Sequence, residues 1–175
     1  MSGDNIKKVL VTGGAGYVGA RLIPKLLNDG FQVVVLDTMF FTDCGLDSVS
    51  SNPNLAILVG DIRDPSSVND ALNGADAVIH LASISNDPSG DLNPKLTVEV
   101  NFEATVALAR AAQKAGLKRF INVSTSSVYG IKNEPEVTEE LSLEPLTIYS
   151  KTKADAEPMV MALASPEFAV VTIRP

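Results

Sequence analysis

Short runs rich in Val, Ile and Leu alternate along the chain with longer stretches whose apolar positions recur at helical spacing. Lys8–Thr12 reads as a buried strand, followed by a helix from Gly16 to about Asn28 that Gly30 stops. Phe31–Leu36 is a second buried strand ending at Asp37, and Leu55–Val59 a third. A short helix is entered through Asp64-Pro65, with Pro suited to a first helical turn. Ala75–His80 is a fourth strand, and an amphipathic helix runs from about Lys95 to Lys114, ended by Gly116. Phe120–Ser124, a helix over about Ile148–Leu163, and Ala169–Ile173 complete the series. Strand and helix in strict alternation imply one α/β layer structure, a doubly wound parallel sheet (Rossmann) of order 3-2-1-4-5-6. Gly, Pro, Asn, Asp and Ser gather in Met39–Asn54, Ser85–Pro94 and Gly130–Glu144, which are expected to be flexible.

At 175 residues the chain is the size of one domain, here taken as residues 1–175. Hydrophobic residues at 45% and charged ones at 20% exclude a disordered chain. Fourteen basic against 21 acidic residues leave a net charge of −7 with no basic run, a poor balance for gripping nucleic acid or an anionic membrane. The single cysteine, Cys44, allows no internal disulfide and fits a reducing, cytosolic compartment. With one cysteine and one histidine, His80, a tetrahedral zinc site is nearly excluded, whereas a carboxylate-held Mg²⁺ is not. The opening Met1–Asn5 is polar, unlike a signal peptide, and no apolar run approaches the roughly 18 residues of a membrane span.

In an open α/β sheet, ligands bind beyond the carboxyl ends of the strands, and the unusual residues of this chain gather there. Thr12-Gly13-Gly14-Ala15-Gly16-Tyr17-Val18-Gly19 follows strand one and matches G-x-G-x-x-G from Gly14. Such a string gives a tight turn and lets a pyrophosphate approach backbone N–H groups at a helix start, although a strand-to-helix turn alone needs no ligand. Asp37 stands 18 residues after Gly19, near the spacing at which a carboxylate accepts from ribose hydroxyls. Thr38 rather than Arg follows it, which favours NAD over NADP. A solvated strand-end Asp is the alternative. Asp61-Ile62 ends strand three, placed to meet an adenine; a turn or helix-cap role for Asp61 explains it nearly as well. His80 reads as a satisfied core histidine, and Leu81-Ala82-Ser83 as backbone lining a cofactor. After strand five comes a hydroxyl cluster, Ser124-Thr125-Ser126-Ser127, and downstream Tyr149 and Lys153 stand four apart on one helix face. A phenol is a poor base at neutral pH, and a neighbouring ammonium favours its ionised form. Tyr149 could then take a proton from a substrate hydroxyl while hydride leaves the same carbon for NAD⁺.

Together these pieces, with Gly60-Asp61-Ile62, His80-Leu81-Ala82, Val100-Asn101, Val128-Tyr129-Gly130 and Arg174-Pro175, resemble the extended short-chain dehydrogenase/reductase family, in its NAD-dependent nucleotide-sugar epimerase/dehydratase branch. The resemblance implies an NAD-dependent enzyme acting on a nucleotide sugar. It casts Tyr149 as acid/base, Lys153 as the group that binds the nicotinamide ribose and tunes Tyr149, and Thr125 as the hydroxyl bonded to the reacting oxygen. Gly13, Gly16, Tyr17, Val18, Asp37, Asp61, Ile62, Leu81, Ala82 and Ser83 fall on its cofactor-binding positions. Ser83 and Ala104 stand where Ala and Gly are usual. It also implies a homodimer through two helices per subunit, here about 95–114 and 148–163. Val98, Phe102, Val106 and Ala109 with Val160, Met161 and Leu163 would form the seam, unless they face the sheet.

Two departures shape the expected activity. Relatives that dehydrate sugars typically carry Asp-Glu after the Ser/Thr of the site, whereas Ser126-Ser127 stand here, which counts against dehydration and looks more like sugar epimerases or simple reductases; an epimerase is the leading reading, a dehydratase or reductase of the same family the alternative. A non-catalytic NAD-binding regulator is the alternative of another class, and it would have no need of the Tyr149–Lys153 pair. Family members also continue for well over a hundred residues past the Arg-Pro of strand six. The 175 residues alone are therefore expected to bind NAD, expose an apolar face and turn over negligibly.

Overall fold

The computed structural model describes residues 6–40 and 44–175, so the polar opening Met1–Asn5 and residues 41–43 of the Met39–Asn54 segment lie outside the described residues. Six parallel strands form one sheet of order β3-β2-β1-β4-β5-β6, the expected doubly wound arrangement. They are β1 Lys8–Thr12, β2 Gln32–Asp37, β3 Leu55–Val59, β4 Ala77–His80, β5 Arg119–Val123 and β6 Ala169–Ile173. The register sets Thr12 beside Leu36 and His80, and His80 beside Asn122, so the strand ends that carry polar residues are level across the sheet. The central strands are buried on both faces, which is why they read as near-continuous Val and Ile runs.

Among the described residues six α-helices cover the faces: α1 Gly19–Asn28, α2 Pro65–Leu72, α3 Asp87–Leu92, α4 Pro94–Val98, α5 Thr105–Lys114 and α6 Ile148–Met161. One face packs Ile23 and Leu27 of α1 on Val9, Val11, Val33 and Val35. The other packs α2, α5 and α6 on Leu10, Leu36, Val78 and Phe120. Helix α1 starts three residues later than predicted, because Gly13–Val18 turn around a left-handed Gly13 (φ 71°) before the first helical bond forms. The predicted 95–114 helix is a continuous rod from Pro94, but Glu99–Ala104 winds as a π-helix between α4 and α5. There the buried Asn101 turns its amide onto the backbone of Ile84, accepting from its N–H (2.8 Å) and donating to its carbonyl (3.0 Å).

Two expectations need correction. Ser85–Pro94 is largely ordered as α3. Asn86 caps it by accepting from the Ser89 N–H (2.9 Å), and the Thr147 hydroxyl donates to Asp87 (2.6 Å), tying it to the start of α6. Val106, Ala109 and Val160 are not an outward seam. They lie within this chain's own core, with Phe102 and Leu163 packed against it, because the sheet-facing stripe of each helix is its apolar one.

Candidate active site

The glycine turn is shaped by what it must avoid. A Cβ on Gly13 would stand 2.5 Å from the Ala82 nitrogen, and one on Gly19 would overlap the Gly14 carbonyl. Close approach therefore brings Gly13 directly onto the Leu81–Ala82 backbone, where the Leu81 N–H donates to the Thr12 carbonyl (3.0 Å). Asp37 closes the turn from the other side, accepting from the N–H of Ala15 (3.0 Å) and of Met39 (2.9 Å). It is a braced carboxylate, not a freely solvated one. Tyr17 is 91% exposed and Val18 54%, and their N–H groups have no backbone partner among the described residues. Open amides at the mouth of a helix, beside a cradle that only glycine fits, suit the pyrophosphate of a dinucleotide.

Strand β3 ends at Val59, so Asp61 and Ile62 lie in the turn just beyond it, and the Asp61 carboxylate is taken. Arg63 holds it through Nε (3.1 Å) and Nη2 (2.7 Å) and donates its own N–H to it (2.8 Å). These bonds keep the carboxyl below its ordinary range. The turn role thus accounts for the Asp61 side chain. Ile62 is buried in the core, so it has only backbone to offer a ligand. The pair borders a groove of about 600 Å³ between α2 and α5, floored by Val68, Ala104 and Leu108.

His80 is fully buried, with Nδ1 2.6 Å from the Thr12 hydroxyl and Nε2 2.9 Å from that of Thr105. Since the Thr105 hydroxyl donates to the Val100 carbonyl (3.4 Å), its lone pairs receive the Nε2 proton, and Thr12 donates to Nδ1. Burial, and secondarily the charge of Lys153, push the imidazole down to about 3. It is the satisfied core histidine that its apolar strand suggested.

Beyond β5, Thr125 is buried and its Oγ1 accepts from the Ser127 N–H (3.2 Å), which leaves its proton free to donate. Ser126 and Ser127 are exposed on the short turn that follows. Helix α6 begins with a capping box between Thr147 and Ser150, and so carries half-buried Tyr149 in its first turn. Gly90 of α3 packs there; a Cβ on it would stand 3.5 Å from that of Tyr149. One turn on, Lys153 is 4% exposed, and its Nζ donates to the Val123 carbonyl at the end of β5 (2.9 Å). Burial pushes this ammonium down to about 8, against the pull of the Glu157 carboxylate. The structure thus brings Lys153 of α6 to the strand end that leads into Thr125.

A group that sequence reading missed lies beneath. Buried Glu157 accepts from the Ser124 hydroxyl (2.5 Å) and from Arg174 through Nε (3.1 Å) and Nη2 (2.5 Å). Arg174 Nη1 donates to the Tyr129 hydroxyl (2.7 Å), and its guanidinium lies 5.0 Å from the Tyr129 ring centre. The available signal was a Glu four residues beyond Lys153 on the same helix face.

Among the described residues no cluster of three potential metal-ligating side chains occurs, and no helix is long and apolar enough to cross a membrane. The sequence profile of the NAD dependent epimerase/dehydratase family matches residues 9–175. The low-salt glycan biosynthesis protein Agl12 of Haloferax volcanii is 36% identical over 87% of this chain and 50% of its own length. The UDP-glucose 4-epimerase of Bacillus subtilis is 31% identical over 95% and 51%. Among solved structures, a double mutant of the dTDP-glucose 4,6-dehydratase DesIV of Streptomyces venezuelae, with NAD bound, superposes with a TM-score of 0.88 at 31% identity, covering 95% of this chain and 54% of that one. The chain spans about half the length of the relatives it matches.

Proposed function

The chain belongs to the NAD-dependent epimerase/dehydratase family, and on that premise we propose that it is the cofactor-binding part of a nucleotide-sugar epimerase. NAD is the cofactor of the family, and when bound it accepts a hydride from a sugar carbon and later returns it. The Gly13–Val18 turn would hold the pyrophosphate and Asp37 the adenosine ribose, with Leu81, Ala82 and Ser83 lining the nicotinamide side. Tyr149 takes the proton of the sugar hydroxyl as the carbon is oxidised, and gives it back when the keto group is reduced from the other face. Lys153 supports the phenolate by its charge, and Thr125 donates to the reacting oxygen.

The observation that carries this reading is the buried Lys153 ammonium on the Val123 carbonyl, one helical turn from Tyr149 and two residues before Thr125. Burying an ammonium is costly, and one turn from a phenol its charge favours the phenolate form that a proton transfer requires. Ser126 and Ser127 favour epimerisation: hydroxyls at these exposed positions offer no carboxylate to abstract the proton an elimination requires. Incubating the whole protein with UDP-, dTDP- and GDP-sugars, in one arm with NAD and in a parallel arm with NADH, and resolving products by mass and NMR, tests it. A sugar of unchanged mass and inverted stereochemistry is expected; loss of water would make the protein a dehydratase, and net consumption of NADH a reductase.

A further inference from the structure

Glu157 is the only fully buried carboxylate among the described residues, at 4% exposure, and the proposed chemistry makes no use of it. Removing an ionised carboxylate from water is costly, and a buried ion pair is often no more stabilising than apolar residues of the same volume. Its placement is more telling than its energy. Lys153 and Glu157 stand one turn apart on α6, and they grip consecutive residues at the end of β5: Lys153 donates to the carbonyl of Val123, its last residue, and Glu157 accepts from the hydroxyl of Ser124, the residue after it. The next residue is Thr125. Arg174, at the end of β6, occupies the rest of the carboxylate and reaches Tyr129 on the far side of the hydroxyl cluster.

We propose that Glu157 is a positioning residue that acts through Lys153: braced by Ser124 and Arg174, it sets the Lys153 ammonium and the Thr125 hydroxyl at a fixed offset along the end of β5. This inference rests on the reading of Tyr149 and Lys153 as reacting groups. Two bonds to successive residues fix both the distance of α6 from the strand and its register along it, which a single bond does not. The negative charge also has a direct effect on Lys153, because it opposes the loss of the proton that burial favours. The other titratable or charged groups set about this ammonium are Tyr149 on its own helix, neutral His80 at the end of β4, and Arg174, already spoken for by Glu157.

Lysine labelled with ¹³C at Cε, with the Lys153 signal assigned through Lys153→Arg, reports the ammonium without any cofactor or turnover. In Glu157→Gln the Lys153 midpoint is expected to fall by about one pH unit from its wild-type value, roughly a tenfold change in the proton equilibrium. Glu157→Asp, which keeps the charge, should recover most of that shift. A folded Glu157→Gln with an unmoved midpoint would overturn the proposal, whatever its melting temperature. If that variant fails to fold, Glu157→Gln/Arg174→Gln is measured against Arg174→Gln alone, so that the Arg174 charge drops out of the comparison, and an unmoved midpoint between those two is equally fatal. Turnover by Tyr149→Phe and Lys153→Met in the full-length chain separates the two claims. Activity retained by both sinks the reading of the site; activity lost by both, with no shift in Glu157→Gln, sinks only the role of Glu157.

Discussion

At the β1–α1 turn the groups presented to a ligand are backbone amides and small side chains, held by packing so close that a single methyl group will not fit. At the β5–β6 end the groups are long polar side chains, drawn together from β5, α6 and β6 and almost wholly withdrawn from water. The first region works by leaving atoms out and the second by satisfying every atom put in. A cofactor common to a whole family can be met by backbone geometry, which has few ways to vary. A reacting centre needs charges and protons at set places, and those require side chains with partners of their own.

That contrast can be broken from either side. Arg174→Ala strands the Glu157 carboxylate without its main partner in a buried site, and the expected loss is about 3–5 kcal/mol of stability, measured by urea unfolding. Gly13→Ala adds one methyl at φ 71° against the Ala82 backbone, and should lose about 3 kcal/mol in the same assay. An alanine there as stable as wild type would show that the turn has room to spare. The buried histidine between the two regions offers a pH test. Folding lowers His80 from its ordinary 6.5 to about 3, so between those values the unfolded chain binds the extra proton and stability falls as pH falls. From pH 6.5 to 5 this group alone should cost about 1.6 kcal/mol. The same interval should be nearly flat in His80→Gln; equal slopes would contradict the assignment. The smallest effect is expected at Asp37. Asp37→Ala should weaken NAD binding roughly tenfold by calorimetry and narrow the preference over NADP, with about 1 kcal/mol of stability lost as the Ala15 and Met39 N–H groups lose their acceptor.

How much of this was legible in sequence follows the same division. Strand order, the glycine turn and the carboxylate ending β2 are local patterns, each contained within a few residues or one βαβ unit. Tyr149 and Lys153 sit four apart on one helix and were readable for the same reason. The Ser124–Glu157 bond spans 33 residues and Thr147–Asp87 spans 60, and no spacing rule reaches that far. The order of α3 is a different case: Asn86-Asp87-Pro88 carries the same cap-then-proline signal as Asp64-Pro65, but a dense run of Asn, Asp, Pro, Ser and Gly masked it. The π-helix had no local signature either. It depends on Asn101 finding the Ile84 backbone, a contact set by the fold as a whole.

The long reach of the Ser124–Glu157–Arg174 clamp also bears on the order in which the molecule acquires its parts. The glycine turn needs only β1, α1, β2 and the start of the segment after β4, whereas the clamp closes only after α6 has docked and β6 has paired with β5. Loop closure over such separations is entropically slow, so long-range pairings form late. During synthesis the dinucleotide cradle is thus complete in sequence while the lysine still lacks its brace, and the emergence of Arg174 completes the set of residues that brace it. The part of the site fixed last is thus the one that carries the charges.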